Sequence, residues 1–266
     1  MNDLFERTWV LITGASSGMG LEFARRLAAR KANLILTARS GDKLDALARE
    51  LAQAHGIETE TIALDLGAAG GADRLLAEVA RRGRAVDHLI SNAGFGSAGR
   101  FAEAPAAREA EMVRLNCEAL LVLSRGILPQ LLERRAGGIL HVASIAGMQP
   151  VPFMATYGAT KAFVLSFSLA LSEETRGSGV RVMALCPGPV PTGFQQVTGY
   201  AISQSQKRAV LSAEETVARG LAAYERGRDV FIPGGLNTVG AWASKHLPVR
   251  TVTRMVGRMM RERANP

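Results

Sequence analysis

The stretch Trp9-Val10-Leu11-Ile12-Thr13-Gly14-Ala15-Ser16-Ser17-Gly18-Met19-Gly20 decides the fold of this chain. Its four leading apolar residues indicate a short buried strand, and a helical pattern runs from about Met19 to Arg30. Gly14 permits a tight turn after the strand, Gly18 lets the backbone approach a pyrophosphate, and Gly20 lets the helix pack closely on the sheet. The free N–H groups at the start of that helix favour a bound phosphate.

Short apolar runs alternate with helical patterns along all 266 residues. The runs are mostly continuous in hydrophobicity, which is typical of strands buried on both faces of a parallel sheet. We therefore predict an α/β fold, with a single Rossmann-type doubly wound parallel sheet and helices on both faces. Residues 1–266 are predicted to form one dinucleotide-binding and catalytic domain. Beyond the first unit, strands are predicted at 34–36, 61–64, 86–90, 138–143, 180–185 and 230–232, and helices at 43–54, 109–133 and 155–176.

Composition narrows the class of protein. No stretch approaches the roughly 20 apolar residues of a membrane span, and the N-terminus, which carries acids, does not resemble a signal peptide. We interpret Cys117 and Cys186 as reduced thiols of a cytoplasmic protein. The four histidines lack the spacing of metal ligands, so we predict no metal site. The net charge of +8 can attract anionic partners, but no DNA-reading motif is visible and no nucleic-acid partner is predicted.

The end of the second strand bears on the choice of cofactor. An NAD site places an acid there, on the ribose 2′-hydroxyl. Here the sequence reads Ala38-Arg39-Ser40, so the acid is missing and a guanidinium suited to a 2′-phosphate stands in its place. We predict that NADP(H) is preferred over NAD(H); the alternative is that Arg39 is a solvated surface residue.

Four polar residues could carry carbonyl chemistry. Tyr157 and Lys161 are four apart, which puts them on one face of a helix, and an ammonium there lowers the pKa of a tyrosine that must move a proton. Ser144, at the end of a strand, could hold the substrate oxygen, and Asn116 could hold a water that feeds in protons. Each residue also has a simpler explanation. The spacing of Tyr157 and Lys161 could arise by chance, Ser144 could simply end a strand, and Asn116 could be a buried amide with its hydrogen bonds satisfied. Only the combination of these residues favours catalysis.

These motifs together resemble the short-chain dehydrogenase/reductase family, and within it a broad-specificity NADP-dependent reductase branch. The matching elements occur in family order and span most of the chain. They are Thr13-Gly14-x-x-x-Gly18-x-Gly20, Asp65, Asn92-Ala93-Gly94, Asn116, Ser144, Tyr157-x-x-x-Lys161 and Pro187-Gly188-Pro189-Val190-Pro191-Thr192.

The resemblance implies roles for individual residues. It makes Asn116, Ser144, Tyr157 and Lys161 a catalytic tetrad, with Lys161 also binding the nicotinamide ribose. It implies a homodimer or homotetramer, often assembled through the two long helices that carry Asn116 and Tyr157. The predicted cofactor site comprises Gly14, Ser16, Ser17, Gly18, Met19, Gly20, Arg39, Asp65, Leu66, Asn92, Ala93, Gly94, Tyr157, Lys161, Pro187, Gly188, Val190 and Thr192.

The prediction is therefore an NADP(H)-dependent oxidoreductase that interconverts a carbonyl and an alcohol, with Tyr157 as general acid/base. The alternative is a non-catalytic NADP(H)-binding redox sensor, which would not need an intact acid/base. The substrate is expected to be a small, moderately apolar ketone or aldehyde. A lid over the substrate is predicted at about 190–212. Four apolar or aromatic residues could form a pocket wall or could equally be ordinary packing residues: Phe153, Met154, Phe194 and Tyr200.

A basic amphipathic pattern closes the chain, within a helical tail predicted at about 238–263. Arg250, Arg254, Arg258 and Arg261 fall on one stripe and apolar residues on the other. Such a helix can lie on an anionic membrane surface. Packing on the protein itself or on a neighbouring subunit is favoured, because amphipathic surface helices are common.

Overall fold

The computed structural model describes residues 3–194, 198–199 and 210–264 and contains a seven-stranded sheet. All neighbouring strands pair in parallel, in the order β3-β2-β1-β4-β5-β6-β7. This arrangement confirms the predicted doubly wound α/β fold. The strands are β1 (Trp9–Thr13), β2 (Asn33–Ala38), β3 (Thr59–Ala63), β4 (His88–Ser91), β5 (Gly138–Val142), β6 (Arg181–Leu185) and β7 (Val230–Phe231).

Helices connect the strands and follow the last one. A π-helical segment, Arg114–Glu118, joins α4 to α5, and short 3-10 turns lie at Phe101–Glu103 and Ile145–Gly147. The helices are α1 (Gly18–Ala29), α2 (Gly41–His55), α3 (Gly71–Arg81), α4 (Ala106–Val113), α5 (Ala119–Arg134), α6 (Ala155–Glu174), α7 (Ala213–Glu225), α8 (Gly235–His246) and α9 (Val249–Ala264).

The structure adds detail that the pattern did not supply. Helices α3 and α7 were not among the predicted elements. The predicted helical tail is two helices, since α8 ends at His246 and α9 begins at Val249. Pro248 lies between them and cannot donate the backbone hydrogen bond that a continuous helix would need there.

The sheet has a buried core on each face, which explains the continuous apolar runs. On β1, Val10 and Ile12 pack into the core shared with α1, α2 and α7, whereas Leu11 packs into the opposite core with α3 and α5. Successive side chains of a strand point to opposite faces. Both sets must therefore be apolar, and strand hydrophobicity does not alternate.

One helical stretch of the described residues, Ala106–Arg134, is long and apolar enough to cross a membrane by length and composition. This corrects the expectation that no stretch approaches that length. Leu123, Ile127 and Leu131 of this stretch are buried in the core beside the sheet. The core helix of a soluble protein passes the same test, so this finding is weak evidence for a membrane span.

Because every strand runs in the same direction, the carboxyl ends of the strands meet along one edge of the sheet. The chain leaves that edge through Gly14 after β1, Arg39 after β2, Asn92 after β4 and Ala143 after β5. Ligands of open α/β sheets bind outside the carboxyl ends of the strands, where the strand order reverses. Here that reversal lies between β1 and β4.

Candidate active site

A cavity of about 720 Å³ lies at this edge of the sheet and brings together residues from most of the chain. Every residue predicted for the catalytic and cofactor sites lines this cavity except Gly20 and Asn116. The predicted residues that line it are Gly14, Ser16, Ser17, Gly18, Met19, Arg39, Asp65, Leu66, Asn92, Ala93, Gly94, Ser144, Tyr157, Lys161, Pro187, Gly188, Val190 and Thr192.

The glycine loop has the conformation its sequence requires. Gly14 and Gly18 have φ of +67° and +55°, in the left-handed region that side chains rarely occupy. A β-carbon at Gly20 would overlap the carbonyl oxygen of Gly14, so Gly20 permits close packing of α1 on the loop without itself lining the cavity. The first turn of α1 carries no acid, and its N-terminus therefore offers N–H groups and partial positive charge to an anion.

Asn92 ties the loop to the neighbouring strand. Its Nδ2 donates to the carbonyl oxygen of Thr13 at 2.9 Å, and its backbone N–H donates to Thr13 Oγ1 at 3.0 Å. The N–H of Ala93 donates to the same hydroxyl at 2.9 Å. Asn92 therefore lines the cleft and also holds the end of β1 in register with the end of β4.

Two cations stand at the end of the cavity next to β2. Arg39 and Lys43 are both exposed, and both line the cavity together with Ser40. Within the described ranges, neither cation forms an ion pair, so both charges remain available to an anion. Lys43 was not predicted as a site residue, because it lies on the first turn of α2, where a lysine is usually a solvated surface residue.

Ser144 lies directly after β5 and turns the chain toward α6. Its Oγ accepts a hydrogen bond from the N–H of Ala146 at 3.1 Å, which caps the Ile145–Gly147 turn. The N–H of Ile145 donates to the carbonyl oxygen of Pro187 at 3.0 Å. The strand end that carries Ser144 is thus bonded to the segment after β6 that lines the same cavity.

Tyr157 and Lys161 lie on the buried face of α6. The Lys161 Nζ is 5.9 Å from the centroid of the Tyr157 ring and donates to the carbonyl oxygen of Val142 at 2.7 Å. Burial lowers the pKa of Lys161 to about 8, so its ammonium is held in a largely dehydrated place. The side chain is fixed at the end of β5 rather than directed into solvent.

The pKa of Tyr157 departs from the expectation. Burial raises it to about 12, and a hydrogen bond with the Ser144 side chain only partly opposes that effect. The expected lowering by Lys161 is not found. The lysine instead donates its proton to the carbonyl oxygen of Val142, and burial dominates the pKa of the tyrosine. At neutral pH the tyrosine is accordingly a phenol.

Asn116 lies in the π-helical segment between α4 and α5, and its amide is fully engaged. The Nδ2 donates to the carbonyl oxygen of Phe95 at 2.9 Å and to Thr160 Oγ1 at 3.0 Å, while Oδ1 accepts from the N–H of Phe95 at 3.1 Å. Asn116 does not line the cavity. Within the described residues it therefore acts as a positioning group for the chain next to Gly94 and for α6.

The cavity extends beyond Tyr157 into an apolar end. Of the four proposed wall residues, Met154 and Phe194 line it, Phe153 does not, and Tyr200 lies outside the described residues. Much of the lid placed at 190–212 also lies outside them. The ring centroids of Tyr157 and Phe194 are 5.3 Å apart. Further apolar residues lining the cavity are Phe95, Leu115, Val151, Val256, Met259 and Met260.

Helix α9 supplies the part of this wall that sequence reasoning missed. Met260 is buried against Phe95, Met154 and Tyr157, and Gly257 approaches Pro152 closely enough that a β-carbon would lie 3.3 Å from Pro152 Cγ. The expected packing of the basic helix on its own protein is thus observed. Its apolar stripe was visible in the sequence, but no local signal showed that it would close the pocket.

Comparison with known proteins places these features in a family. The model of the family described as short chain dehydrogenase matches residues 8–201. A very-long-chain 3-oxoacyl-CoA reductase of Phaeosphaeria nodorum is 37% identical over 194 residues, which are 71% of this chain but 57% of that protein. The chain thus matches little more than half the length of that curated relative.

Solved structures agree on the architecture and differ in cofactor. A short-chain dehydrogenase from Sphingobium yanoikuyae in complex with NADPH has a TM-score of 0.79 and 31% identity, over 91% of this chain and 96% of that one. A short chain dehydrogenase/reductase from Burkholderia phymatum in complex with NAD has a TM-score of 0.79 and 26% identity, over 90% and 93%. The likeness supports a nicotinamide dinucleotide site and leaves open which dinucleotide it prefers.

Proposed function

The chain belongs to the short-chain dehydrogenase family, and from that premise we propose that it reduces a carbonyl to an alcohol with NADPH, with Tyr157 as the proton donor. One observation carries the proposal. Ser144, Tyr157 and Lys161 line the same cavity as the glycine loop and the two cations near β2. Acid/base, anion-binding and apolar surfaces therefore meet in one space, as a two-substrate hydride transfer requires.

The residues present fit a bound dinucleotide phosphate. The N-terminus of α1 and the loop around Gly18 suit the pyrophosphate, and Arg39 with Lys43 suits the 2′-phosphate of NADP(H). The position directly after β2, where an NAD site carries an acid for the ribose 2′-hydroxyl, is occupied here by Arg39. We therefore keep NADP(H) as the preferred cofactor.

The cofactor and the protein supply different parts of the reaction. When bound, the nicotinamide supplies a hydride to the carbonyl carbon. The Tyr157 hydroxyl donates its proton to the substrate oxygen, which closes the charge balance and leaves a phenolate. Its pKa of about 12 keeps it protonated before the step, and Lys161, with a pKa of about 8, offers positive charge near the phenolate that forms.

Ser144 and Asn116 contribute by positioning the reacting groups. The Ser144 hydroxyl adjoins the Tyr157 hydroxyl and can orient the substrate oxygen beside it. Asn116 fixes the backbone of Phe95 and, through Thr160, the helix that carries Tyr157. Holding the reacting groups in register in this way can supply a large part of the rate enhancement.

We propose that the substrate is a ketone on an apolar chain, and a 3-oxoacyl thioester is the first candidate. Two observations support this class. The end of the cavity beyond Tyr157 is lined by Phe95, Met154 and Phe194 and by apolar residues of α9. In addition, a relative 37% identical is named a very-long-chain 3-oxoacyl-CoA reductase. Met residues suit such a wall, because they adapt to chains of varied shape.

The test is a fluorescence titration with NADPH and NADH, followed by turnover assays on 3-oxoacyl thioesters of increasing chain length and on simple ketones. We expect tighter NADPH binding and a kcat/KM that rises with chain length. Binding without turnover across the whole panel would favour the redox-sensor alternative. Failure to bind either dinucleotide would contradict the proposal.

We also propose that the protein forms a homodimer or homotetramer through α5 and α6. Leu121 and Phe163, which lie on these two helices, are 41% and 38% exposed, and Leu169 is similar. Exposed apolar side chains on neighbouring long helices suit a subunit interface. Sedimentation of the wild type and of a Leu121→Ser/Phe163→Ser variant tests this, with a fall in mass expected for the variant.

A cytoplasmic location remains part of the proposal. Cys117 and Cys186 are both free thiols in the structure, as suits a reducing compartment. Subcellular fractionation of the native source tests it, and recovery in an oxidising compartment would contradict it.

A further inference from the structure

Exposed apolar side chains are concentrated in the last two helices. Trp242 is 62% exposed and Val239 is 64% exposed, whereas valine is among the residue types most often buried and tryptophan is highly buried on average. Among the described residues, half of the exposed large hydrophobic side chains fall within residues 236–259. They are Leu236, Val239, Trp242, Leu247, Val249, Met255 and Met259. We call the exposed side of α8 and α9 the tail surface.

The same segment is predominantly positive, and Glu262 is the one acidic residue in the sequence of α8 and α9. From residue 230 to residue 261 the sequence contains no Asp or Glu. Arg250, Arg254, Arg258 and Arg261 are all exposed, and within the part of the chain that the structure describes none of them forms an ion pair. Elsewhere exposed arginines such as Arg81 and Arg219 are paired with acids. The tail surface is therefore both apolar and cationic.

The inner side of α9 is already occupied. Val252 and Met260 are 6% and 4% exposed, and Val256 lines the cavity. These three residues are four apart, so they form one stripe that anchors the helix to the protein. Met255 and Met259 form a second stripe, and Arg250, Arg254 and Arg258 form a third, both exposed. The helix is thus fixed in place while two of its stripes remain uncovered.

We propose that the tail surface binds the face of an anionic lipid bilayer. A helix with apolar and arginine-rich faces lies in the interface between headgroups and acyl chains, where apolar side chains are buried and cations meet lipid phosphates. Each arginine near an anionic surface contributes about fivefold to affinity at low salt. Trp242 adds a ring of the kind enriched at membrane interfaces.

A second copy of the chain is the competing occupant, and charge disfavours it. A two-fold interface brings the same patch of both subunits together. Four arginines would then face four arginines, and α8 and α9 contain a single acidic residue, Glu262, to compensate them. An anionic bilayer supplies the complementary charge.

Docking in this way would place the substrate end of the cavity near lipid. Met259 lines the cavity and is also 40% exposed, so it lies at the rim. The helix that touches the bilayer would be the helix that closes the pocket. An apolar substrate could then reach Tyr157 without crossing bulk water.

The experiment is co-sedimentation of the full chain with vesicles of phosphatidylcholine alone and of phosphatidylcholine mixed with phosphatidylglycerol, at low and high salt. The test variant is Arg250→Gln/Arg254→Gln/Arg258→Gln. The matched control, Arg81→Gln/Arg176→Gln/Arg219→Gln, removes the same charge from exposed positions on other elements. Circular dichroism and dinucleotide titration confirm that each variant is folded.

We expect binding to the mixed vesicles alone, loss of binding at high salt, at least about a tenfold weaker affinity for the test variant, and less than about a twofold change for the control. No sedimentation of the wild type, or equal loss in both variants, would overturn the proposal. If the wild type binds no lipid and its molecular mass is higher than that of the test variant, the tail surface binds a second copy of the chain. That result would also overturn the proposal.

A second readout does not depend on the arginine variants. The chain has two tryptophans, Trp9 and Trp242, and only Trp242 lies on the tail surface. Emission of the wild type should shift to shorter wavelength on mixed vesicles, and a Trp242→Phe variant should lose that shift. Sedimentation with unchanged emission would show that another surface binds lipid and would contradict the proposal.

Discussion

The ammonium of Lys161 donates to the carbonyl oxygen of Val142 at 2.7 Å, which joins the catalytic face of α6 to the last residue of β5. The bond fixes a buried cation beside Tyr157 before any ligand enters. Preorganised charge of this kind needs no rearrangement when negative charge develops, and that is how it contributes to catalysis.

Replacing Arg39 tests the cofactor preference. In Arg39→Asp, a carboxylate would repel a 2′-phosphate and accept a bond from a 2′-hydroxyl, so NADPH affinity should fall by about 10- to 100-fold and NADH affinity should rise. Lys43→Gln should produce a smaller loss in the same direction. The measurement is fluorescence titration with both dinucleotides. Unchanged NADPH affinity in Arg39→Asp would make Arg39 a surface residue only.

The glycine loop predicts a contrast between two glycines. In Gly20→Ala the new β-carbon would overlap the Gly14 carbonyl oxygen and displace α1 from the loop, so dinucleotide affinity should fall by at least about tenfold. In Gly240→Ala, on α8, the β-carbon meets no atom within 4 Å among the described residues, and stability should be unchanged or slightly raised. Titration and thermal unfolding of both variants give the comparison. Equal behaviour would refute the packing role assigned to Gly20.

Asn116 should matter to stability as well as to turnover. Asn116→Leu leaves the N–H and carbonyl of Phe95 without the partners they have in the buried interior. Each buried group left unpaired costs about 1–3 kcal/mol, so the free energy of unfolding should fall by about 2–5 kcal/mol. Urea denaturation measures it, with Val113→Asn, at an exposed position on α4, as control. A loss below about 1 kcal/mol would be incompatible with this bonding.

Buried His88 predicts a pH dependence of stability. Burial lowers its pKa from about 6.5 to about 4, and its Nδ1 is 2.9 Å from the Tyr224 hydroxyl. Because the unfolded chain takes up the proton first, stability should fall as pH drops from about 6.5 to about 4, by up to about 3 kcal/mol from this group. His141 acts in the same direction from about pH 6.5 down to about pH 3, since burial lowers its pKa from 6.5 to about 3.

Urea unfolding between pH 7 and pH 4 measures this effect. A His88→Gln variant should lose less stability over the interval than the wild type does. His246→Gln, at an exposed position, should follow the wild type. Identical slopes in all three proteins would contradict the assignment to His88.

The predictable part of the site is local in sequence. The spacing of Gly14, Gly18 and Gly20 predicts a tight turn and a close approach of the backbone to a pyrophosphate and of the helix to the sheet. The interval of four residues from Tyr157 to Lys161 predicts that both lie on one face of a helix. All of these residues except Gly20 line one cavity, because the parallel strands all end at the same edge of the sheet. The residues that line the cavity next to the glycine loop could therefore be predicted from the sequence.

The unpredicted part depends on contacts between distant segments. The wall built by Met259 and Met260 requires α9 to return across Pro152, which no local pattern encodes. The π-helical turn at Arg114–Glu118 has ordinary helical residues, so no local pattern predicts it, and the bonds of Asn116 to Phe95 and Thr160 join segments far apart in the sequence. The raised pKa of Tyr157 likewise reflects the depth of burial, which spacing does not give.

The central claim is that Tyr157 donates the proton in an NADPH-dependent carbonyl reduction, and its most direct test is the rate of NADPH oxidation in Tyr157→Phe against the wild type. The ring and its packing against Phe194 persist in this variant, so NADPH affinity should stay within about threefold. With a turned-over ketone, kcat should fall by at least about 10²–10⁴-fold, the usual size of a general acid's contribution. A variant that retains more than about a tenth of wild-type kcat while binding NADPH normally would contradict the account.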